Sequence, residues 1–446
     1  MRSVRTFWAA SLIVSLLAVG CPGRRTAAAA PAQPAAFPAA SFTVMSDLHV
    51  YDTTLGTSGP AFQEYLATDR KLLRESKEIT TAAVNRIIEE KPDFVIVAGD
   101  LTKDGESQSH DQAAACLRPL REQNIPVFVV PGNHDVANPE AVRYDEEGEA
   151  PIPSISPREF AERYADFGYD QAFDRDTSSL SYAAEPVPGL WLVGLDANRY
   201  YDNRPGRRLV IAGRLRPRTM AWLTQVLGQA AQKRIPVIVF MHHGVLEHFS
   251  GQQGQAPDYL VTGRKHIQSL FKRYGVRTVF TGHFHAQDIV VRTWSDAGFL
   301  YDIETGSLVT YPLPYRHVEI ADNQNMLILT RRIEAIPSHP VDFPGYARDF
   351  TRQGLTDAGQ RLLRRYHMLQ AGGPAFTSMV ADLITDHYAG DEPGTTFSIS
   401  PSGFGCLTAF LIGARWDILK GLSRDLPPPD NDLLINLATG QWLLPR

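Results

Sequence analysis

Cysteine is scarce in this chain: there are three in 446 residues, Cys21, Cys116 and Cys406. So few cannot build a disulfide framework, and the shortage of thiolates argues against a purely structural zinc site. Basic charge is not in excess either. The 44 Lys and Arg are outnumbered by 49 Asp and Glu, for a net charge of -5, and no long basic block offers a grip on a phosphate backbone, so nucleic acid is not the expected partner. Histidine, at 13 residues, is not abundant for this length, and its placement carries more information than its number. With 43% hydrophobic and 21% charged residues, the chain is neither disordered nor fibrous and has material for a large core.

The N-terminus reads as an export signal over residues 1–21. Arg2 and Arg5 precede an apolar segment, Phe7 to Val19, that is shorter than the roughly 20 residues a membrane span requires. Ala18-Val19-Gly20-Cys21 resembles a bacterial lipobox with Ala in place of the usual leading Leu, and Cys21 is expected to carry a lipid anchor outside the cytoplasmic membrane. Ordinary secretion, with cleavage in the Ala27–Ala30 run, is the alternative. Residues 22–40, rich in Ala and Pro, suit a flexible tether.

From Ser41 the pattern alternates. Apolar runs at Ser41–Met45, Phe94–Ala98, Ile125–Val130, Leu190–Leu195, Ile235–Met241 and Val276–Phe280 read as buried strands. Helical spacing separates them, as in Leu72, Ile79, Ala83 and Ile87 before Lys91-Pro92. This predicts an α/β fold whose parallel strands are covered by helices, with ligands gathered beyond the strands' carboxyl ends. Residues 137–188 read as an inserted lobe, and the runs from Ile289 to Thr330 as an antiparallel portion. A core domain over residues 41–335 is then followed by a helical C-terminal extension, 336–446. Its apolar faces are Phe376, Met379, Val380, Leu383, Ile384 and Tyr388, then Phe404, Leu407, Leu411, Ile418 and Leu422.

Five of these strands deliver candidate ligands at their ends: Asp47 and His49, Asp100, Asn133 with His134 and Asp135, His242 with His243, and His283 with His285. Carboxylate, amide oxygen and imidazole suit first-row divalent or trivalent metals, and there are more donors than one ion needs. Two ions about 3.5 to 4 Å apart, sharing a carboxylate, would use them and clamp a phosphoester.

The ordered set Asp-x-His, Gly-Asp, Gly-Asn-His-Asp, His and Gly-His-x-His resembles the calcineurin-like metallophosphoesterase superfamily over residues 41–330. The resemblance implies a β-sandwich of two mixed sheets flanked by helices. It also implies two metal ions of Mn, Fe or Zn: Asp47, His49 and His285 would hold one, Asn133, His242 and His283 the other, and Asp100 would bridge them. His134 would stabilise the transition state or protonate the leaving oxygen, with Asp135 orienting its imidazole. Lys103 and Asp135 stand where protein Ser/Thr phosphatases carry Asp and Glu. Gly99-Asp100-Leu101-Thr102-Lys103-Asp104-Gly105 and Met241-His242-His243 resemble instead the bacterial branch of cyclic-nucleotide and glycerophosphodiester phosphodiesterases, with Gly244 in place of its usual proline.

The expectation is therefore an exported, lipid-anchored enzyme that hydrolyses small-molecule phosphodiesters by attack of metal-bound hydroxide. A phosphomonoesterase or nuclease on the same scaffold is one alternative, and a metal-binding envelope protein without turnover is another. No oligomeric state is assigned. His243 is a supporting or substrate-facing group. His110, His248, His266 and His317 are expected at the surface or in packing, Asp196 and Asn198 in an ordinary turn, Arg316 in solvent, and Cys116 as inert core.

Overall fold

The computed structural model describes residues 35–445, except 68, 366–371, 391, 393 and 395–415. The expected export signal, Cys21, most of the tether, Cys406, and Phe404, Leu407 and Leu411 lie outside the described residues.

In chain order the strands are β1 (Ala40–Met45), β2 (Phe94–Val97), β3 (Val127–Val129), β4 (Val142–Asp145), β5 (Gly148–Pro151), β6 (Ala172–Arg175), β7 (Tyr182–Val187) and β8 (Leu190–Leu195). They continue with β9 (Val237–Met241), β10 (Thr278–Thr281), β11 (Asp288–Thr293), β12 (Phe299–Glu304), β13 (Pro314–Ile320), β14 (Asn325–Arg332), β15 (Leu433–Asn436) and β16 (Trp442–Leu443). Two mixed sheets result, ordered β16-β15-β14-β13-β1-β2-β3 and β11-β12-β10-β9-β8-β7-β6, while β4 and β5 form a separate hairpin.

The parallel members β1, β2 and β3 in one sheet, and β8, β9 and β10 in the other, are the near-continuous apolar runs of the sequence; β12, also parallel to β10, carries Asp302 and Glu304 among its apolar residues. A strand covered on both faces must be apolar at consecutive positions, not alternate ones. The sheets close on each other through aromatic contacts. Phe42 of β1, stacked on its in-sheet neighbour Phe94 at 4.8 Å, meets Phe280 of β10 edge-on at 5.4 Å across the interface, and the Tyr182 hydroxyl donates to the Val129 carbonyl at 2.9 Å. Against the outer face of the second sheet, the helices Pro217–Lys233 and Arg264–Tyr274 bury Leu223, Val226, Ile267 and Phe271.

The expected tether ends early, because Phe37 is buried and its backbone is bonded on both sides to Gln324. The loop after His49 contains a helix, Gly59–Leu66, and the next helix starts at Ser76, leaving Leu72 buried in the connection. Lys91 ends that helix in the left-handed region, φ 53°, with its N–H donating to the Ile87 carbonyl, a common helix end before a proline. Only the first part of residues 137–188 is an insertion, since β6 and β7 belong to the second sheet.

Residues 336–446 supply the helices Phe343–Arg365, Gly373–Ala389 and Trp416–Leu422. The chain then returns: β15 pairs with β14, with Leu434 opposite Leu327, so the end of the chain completes the first sheet. A four-residue strand beside Pro- and Asp-rich sequence gives too short a period to be read in advance.

Candidate metal centre

The predicted ligands converge at the carboxyl ends of β1, β2, β3, β9 and β10. Asp47, His49, Asp100, His283 and His285 all have positive φ, between 38° and 81°. For residues other than glycine this costs of order 1–3 kcal/mol each and is retained where the site requires it. Two glycines make room. A Cβ on Gly132 would lie 2.0 Å from Asp100 Oδ1, and one on Gly282 would lie 2.5 Å from Asp47 Oδ2.

Asp100 sits at the middle. Its Oδ1 accepts the His134 backbone N–H at 2.9 Å, while Oδ2 faces His242 Nε2 at 3.3 Å and His49 Nε2 at 3.7 Å. On one side Asp47 Oδ1 lies 3.3 Å from His285 Nε2, and His285 Nε2 lies 3.2 Å from His49 Nε2. On the other, His242 Nε2 lies 3.1 Å from Asn133 Oδ1, and His283 can share a ligand position with Asp100 and His242. The His242 Nδ1–H is engaged by the Ala98 carbonyl at 2.9 Å, which turns Nε2 toward the cluster.

The donors fit metal ions. Asp47 Oδ1 is buried with no hydrogen-bond partner, an expensive state for a carboxylate unless a cation faces it. Burial opposes its ionisation, yet His285 and His242 hold Asp47 below the usual carboxylate range; His242 and His134 do the same more strongly for Asp100. Burial, then Lys71, keeps His49 well below its ordinary value. Burial and Arg70 take His285 down to about 4, and burial with His243 and His242 depresses His283. Neutral imidazoles with free lone pairs around anionic carboxylates are what ligation requires. His242 differs: against burial, Asp100 and Asp47 raise it to about 10, the pull of the same carboxylates that would attract a cation.

His134 leaves the ligand ring. Its side chain is 20% exposed, with Nδ1 2.9 Å from Asp104 Oδ1. The group orienting this imidazole is therefore Asp104, and the expectation for Asp135 is corrected. Asp135 points inward, accepting from the Gly132, Leu101 and Thr102 amides at 2.8, 3.1 and 2.9 Å and from the Thr102 hydroxyl, so it ties the two ligand loops together. Successive residues of this tight turn face opposite ways. Asp104 is itself held by Asn138 Nδ2 at 3.2 Å and by Lys103. The only sequence signal for it was a second Asp four places after Asp100.

His243 is fully buried, bonded to the Ile211 carbonyl at 2.8 Å and 4.5 Å ring to ring from His283. His110 is core, held by the Tyr164 hydroxyl and the Asp135 carbonyl, while His266 is exposed. His248 is buried against Asp288 at 2.7 Å, and His317 lies between Glu90 and Glu319. Asp196 anchors its turn, and Asn198 Nδ2 reaches the Pro131 carbonyl at 2.6 Å, bracing the loop before Asn133. Cys116 is buried and free. Arg316, expected in solvent, is fully buried and donates to the carbonyls of Glu304 and Asp430.

Strand-end carboxylates and imidazoles around a shared Asp, with a carboxylate-held His beside them, make up a candidate centre for metal ions. The chain belongs to the calcineurin-like phosphoesterase family, which matches over residues 40–287, and membership implies two metal ions. It is 28% identical over 221 residues to serine/threonine-protein phosphatase CPPED1 of Danio rerio, an alignment covering 47% of this chain and 60% of that protein. It is 26% identical over 234 residues to a probable glycerophosphodiester phosphodiesterase of Arcobacter nitrofigilis, over 50% of this chain and 68% of the relative. The crystal structure of a dimetal phosphatase from Danio rerio superposes with a TM-score of 0.48 at 19% identity, over 67% of this chain and 96% of that one.

Proposed function

We propose that this hydrolase cleaves small-molecule phosphodiesters, with His134 as the proton donor to the leaving oxygen. The observation that carries the reading is the Nδ1 contact of His134 with Asp104, which leaves Nε2 as the ring's remaining nitrogen at the edge of the ligand cluster. Asp47, His49 and His285 would hold one metal ion and Asn133, His242 and His283 the other, with Asp100 between them. Bound there, the ions would neutralise the phosphoryl oxygens and lower the pKa of the attacking water. The protein's own part is to fix those donors, to keep His134 protonated and to aim it at the departing group. Burial works against that protonation, but Asp100 and the Asp104 hydrogen bond outweigh it and raise the His134 pKa.

The motif around Asp100 and the phosphodiesterase relative support a diester; the phosphatase relative supports a monoester as the second reading. With Mn, Zn or Fe supplied, bis-p-nitrophenyl phosphate should be cleaved with a kcat/KM at least about tenfold above that for p-nitrophenyl phosphate. The reverse ratio selects the monoesterase. His134→Ala should lower kcat by about 10²–10⁴-fold with metal content retained; unchanged turnover would remove the assigned role. The proposal extends to location, with the chain exported and held at the membrane by lipid on Cys21. Cys21→Ala should then move it from the membrane to the soluble fraction, and no change of fraction counts against the anchor.

A further inference from the structure

Two consecutive cations stand beside the ligand cluster, and no motif accounts for them. Arg70 and Lys71 lie in the short connection between the helices Gly59–Leu66 and Ser76–Glu90. That connection is fastened on three sides. The Asp69 Oδ1 atom accepts the backbone N–H groups of Arg70 at 2.7 Å and Lys71 at 3.0 Å. The Leu72 N–H donates to the Val309 carbonyl at 2.8 Å, and the next residue, Thr310, has its hydroxyl 3.4 Å from His285 Nδ1. From the C-terminal helix Phe343–Arg365, the Thr351 hydroxyl donates to the Arg70 carbonyl at 3.3 Å. In the same helix Gly354 passes so close to Asp69 that a Cβ would lie 1.9 Å from its carbonyl oxygen. The connection is thus pressed against the His285 side of the site by a helix outside the family match.

Lys71 has a side chain only 7% exposed, and its ammonium lies 3.6 Å from Asp69 Oδ2, beyond good hydrogen-bonding distance. After burial, its charge is the largest influence on His49, ahead of the Asp100 carboxylate, and it also acts on His134, Asp104 and His285. Arg70 is engaged by the Tyr388 side chain and acts on His285 by its charge, but its buried Nε has no hydrogen-bond partner. The Tyr388 ring lies 6.3 Å from His285, and the Tyr259 ring 4.6 Å from His283. Two cations at the rim of a centre that itself gathers cations repel one another and the ions. The Lys71 ammonium, held only loosely by Asp69, and the unpartnered Arg70 Nε leave donors that an anion can take up.

We propose that Lys71 and Arg70 form the anion-binding arm of the site, receiving non-bridging oxygens of the substrate's phosphoryl group and of the phosphate-bearing product. Lys71, as a compact charge near His49 and His134, takes the reacting phosphoryl group itself, and Arg70 adds a second donor from the Tyr388 side. The C-terminal helices thereby acquire a task, since Thr351, Gly354 and Tyr388 build the support of that arm. The assignment rests on the phosphoesterase reading.

The test uses the full metal-loaded chain with inorganic phosphate as probe, read by calorimetric binding, by inhibition of diester turnover and by metal content. Lys71→Met should weaken phosphate binding about tenfold and raise KM similarly, with both metals retained, while Lys71→Arg restores phosphate affinity to within about threefold. Arg70→Met should give a smaller loss in the same direction. If Lys71→Met fails to fold, Lys71→Gln and Arg70→Met carry the same measurement. Phosphate affinity unchanged in folded, metal-replete Lys71 and Arg70 variants overturns the inference even where diesters are cleaved. Lys71-dependent phosphate binding by a chain that cleaves no phosphoester sinks the catalytic reading and leaves the arm standing.

Discussion

On one side of Asp100 the cluster offers a second carboxylate, Asp47, with His49 and His285; on the other it offers the Asn133 amide with His242 and His283. The supports differ too. Asp47 is braced by neutral hydroxyls, Ser46 Oγ on its carboxylate at 2.5 Å and Ser307 Oγ on its carbonyl at 2.9 Å. The loops carrying His242 and His283 rest on a buried ionisable group of His248, Asp288, Asp302 and Glu304. Asp302 Oδ2 accepts the Val245 and Leu246 amides at 2.6 and 2.8 Å, and Glu304 Oε1 accepts the Phe284 amide at 3.1 Å. With Asp100 shared, the first position presents two negative charges and the second presents one. Coulomb attraction therefore predicts unequal affinities, with the Asn133 side holding its ion more weakly.

The largest effect should come from Asp100, which serves both positions. Asp100→Ala should lower activity by about three orders of magnitude and release both ions to a chelator, as read by elemental analysis after dialysis; retention of two ions would show that Asp100 is not the shared ligand. The asymmetry is sharpened by a pair of variants. Asn133→Ala should leave one ion bound and cost about 10–100-fold in activity, whereas Asp47→Ala should cost more of both. Equal metal loss in the two variants would break the charge argument.

Much of this centre was legible because its ligands follow apolar strands and stand beside glycines that only close packing explains, as at Gly132 and Gly282. What stayed hidden was direction. Nothing in Gly132-Asn133-His134-Asp135 says that His134 faces the cleft while Asp135 faces the core, so the imidazole's partner was placed on the adjacent residue instead of Asp104. Arg316 was assigned to solvent because a guanidinium in isolation prefers it, and the carbonyls of Glu304 and Asp430 that satisfy it come from distant segments. β15 was missed for lack of length, and Lys71 because a lysine between two helices carries no pattern until its neighbours in space are known.

The smallest effect tests the ionisable floor itself. Burial works against charge on His248, but Asp288, Asp302 and Glu304 raise its pKa well above the ordinary histidine value. A raised folded-state pKa means that the native protein binds a proton the unfolded chain releases. The stabilisation is therefore complete below about pH 6.5 and is lost as pH rises from there through the folded-state value. Glu304, pushed up mainly by burial, contributes with the same sign. Thermal melts should show Tm falling as pH rises above about 6.5 in the wild type, with a shallower fall in His248→Gln. If the floor supports the Asn133 side in particular, that variant should also release the weaker ion first while the Asp47 position stays filled. Loss of both ions together would mean that the floor braces the whole centre, and parallel melting curves would mean that His248 is not the proton-binding group.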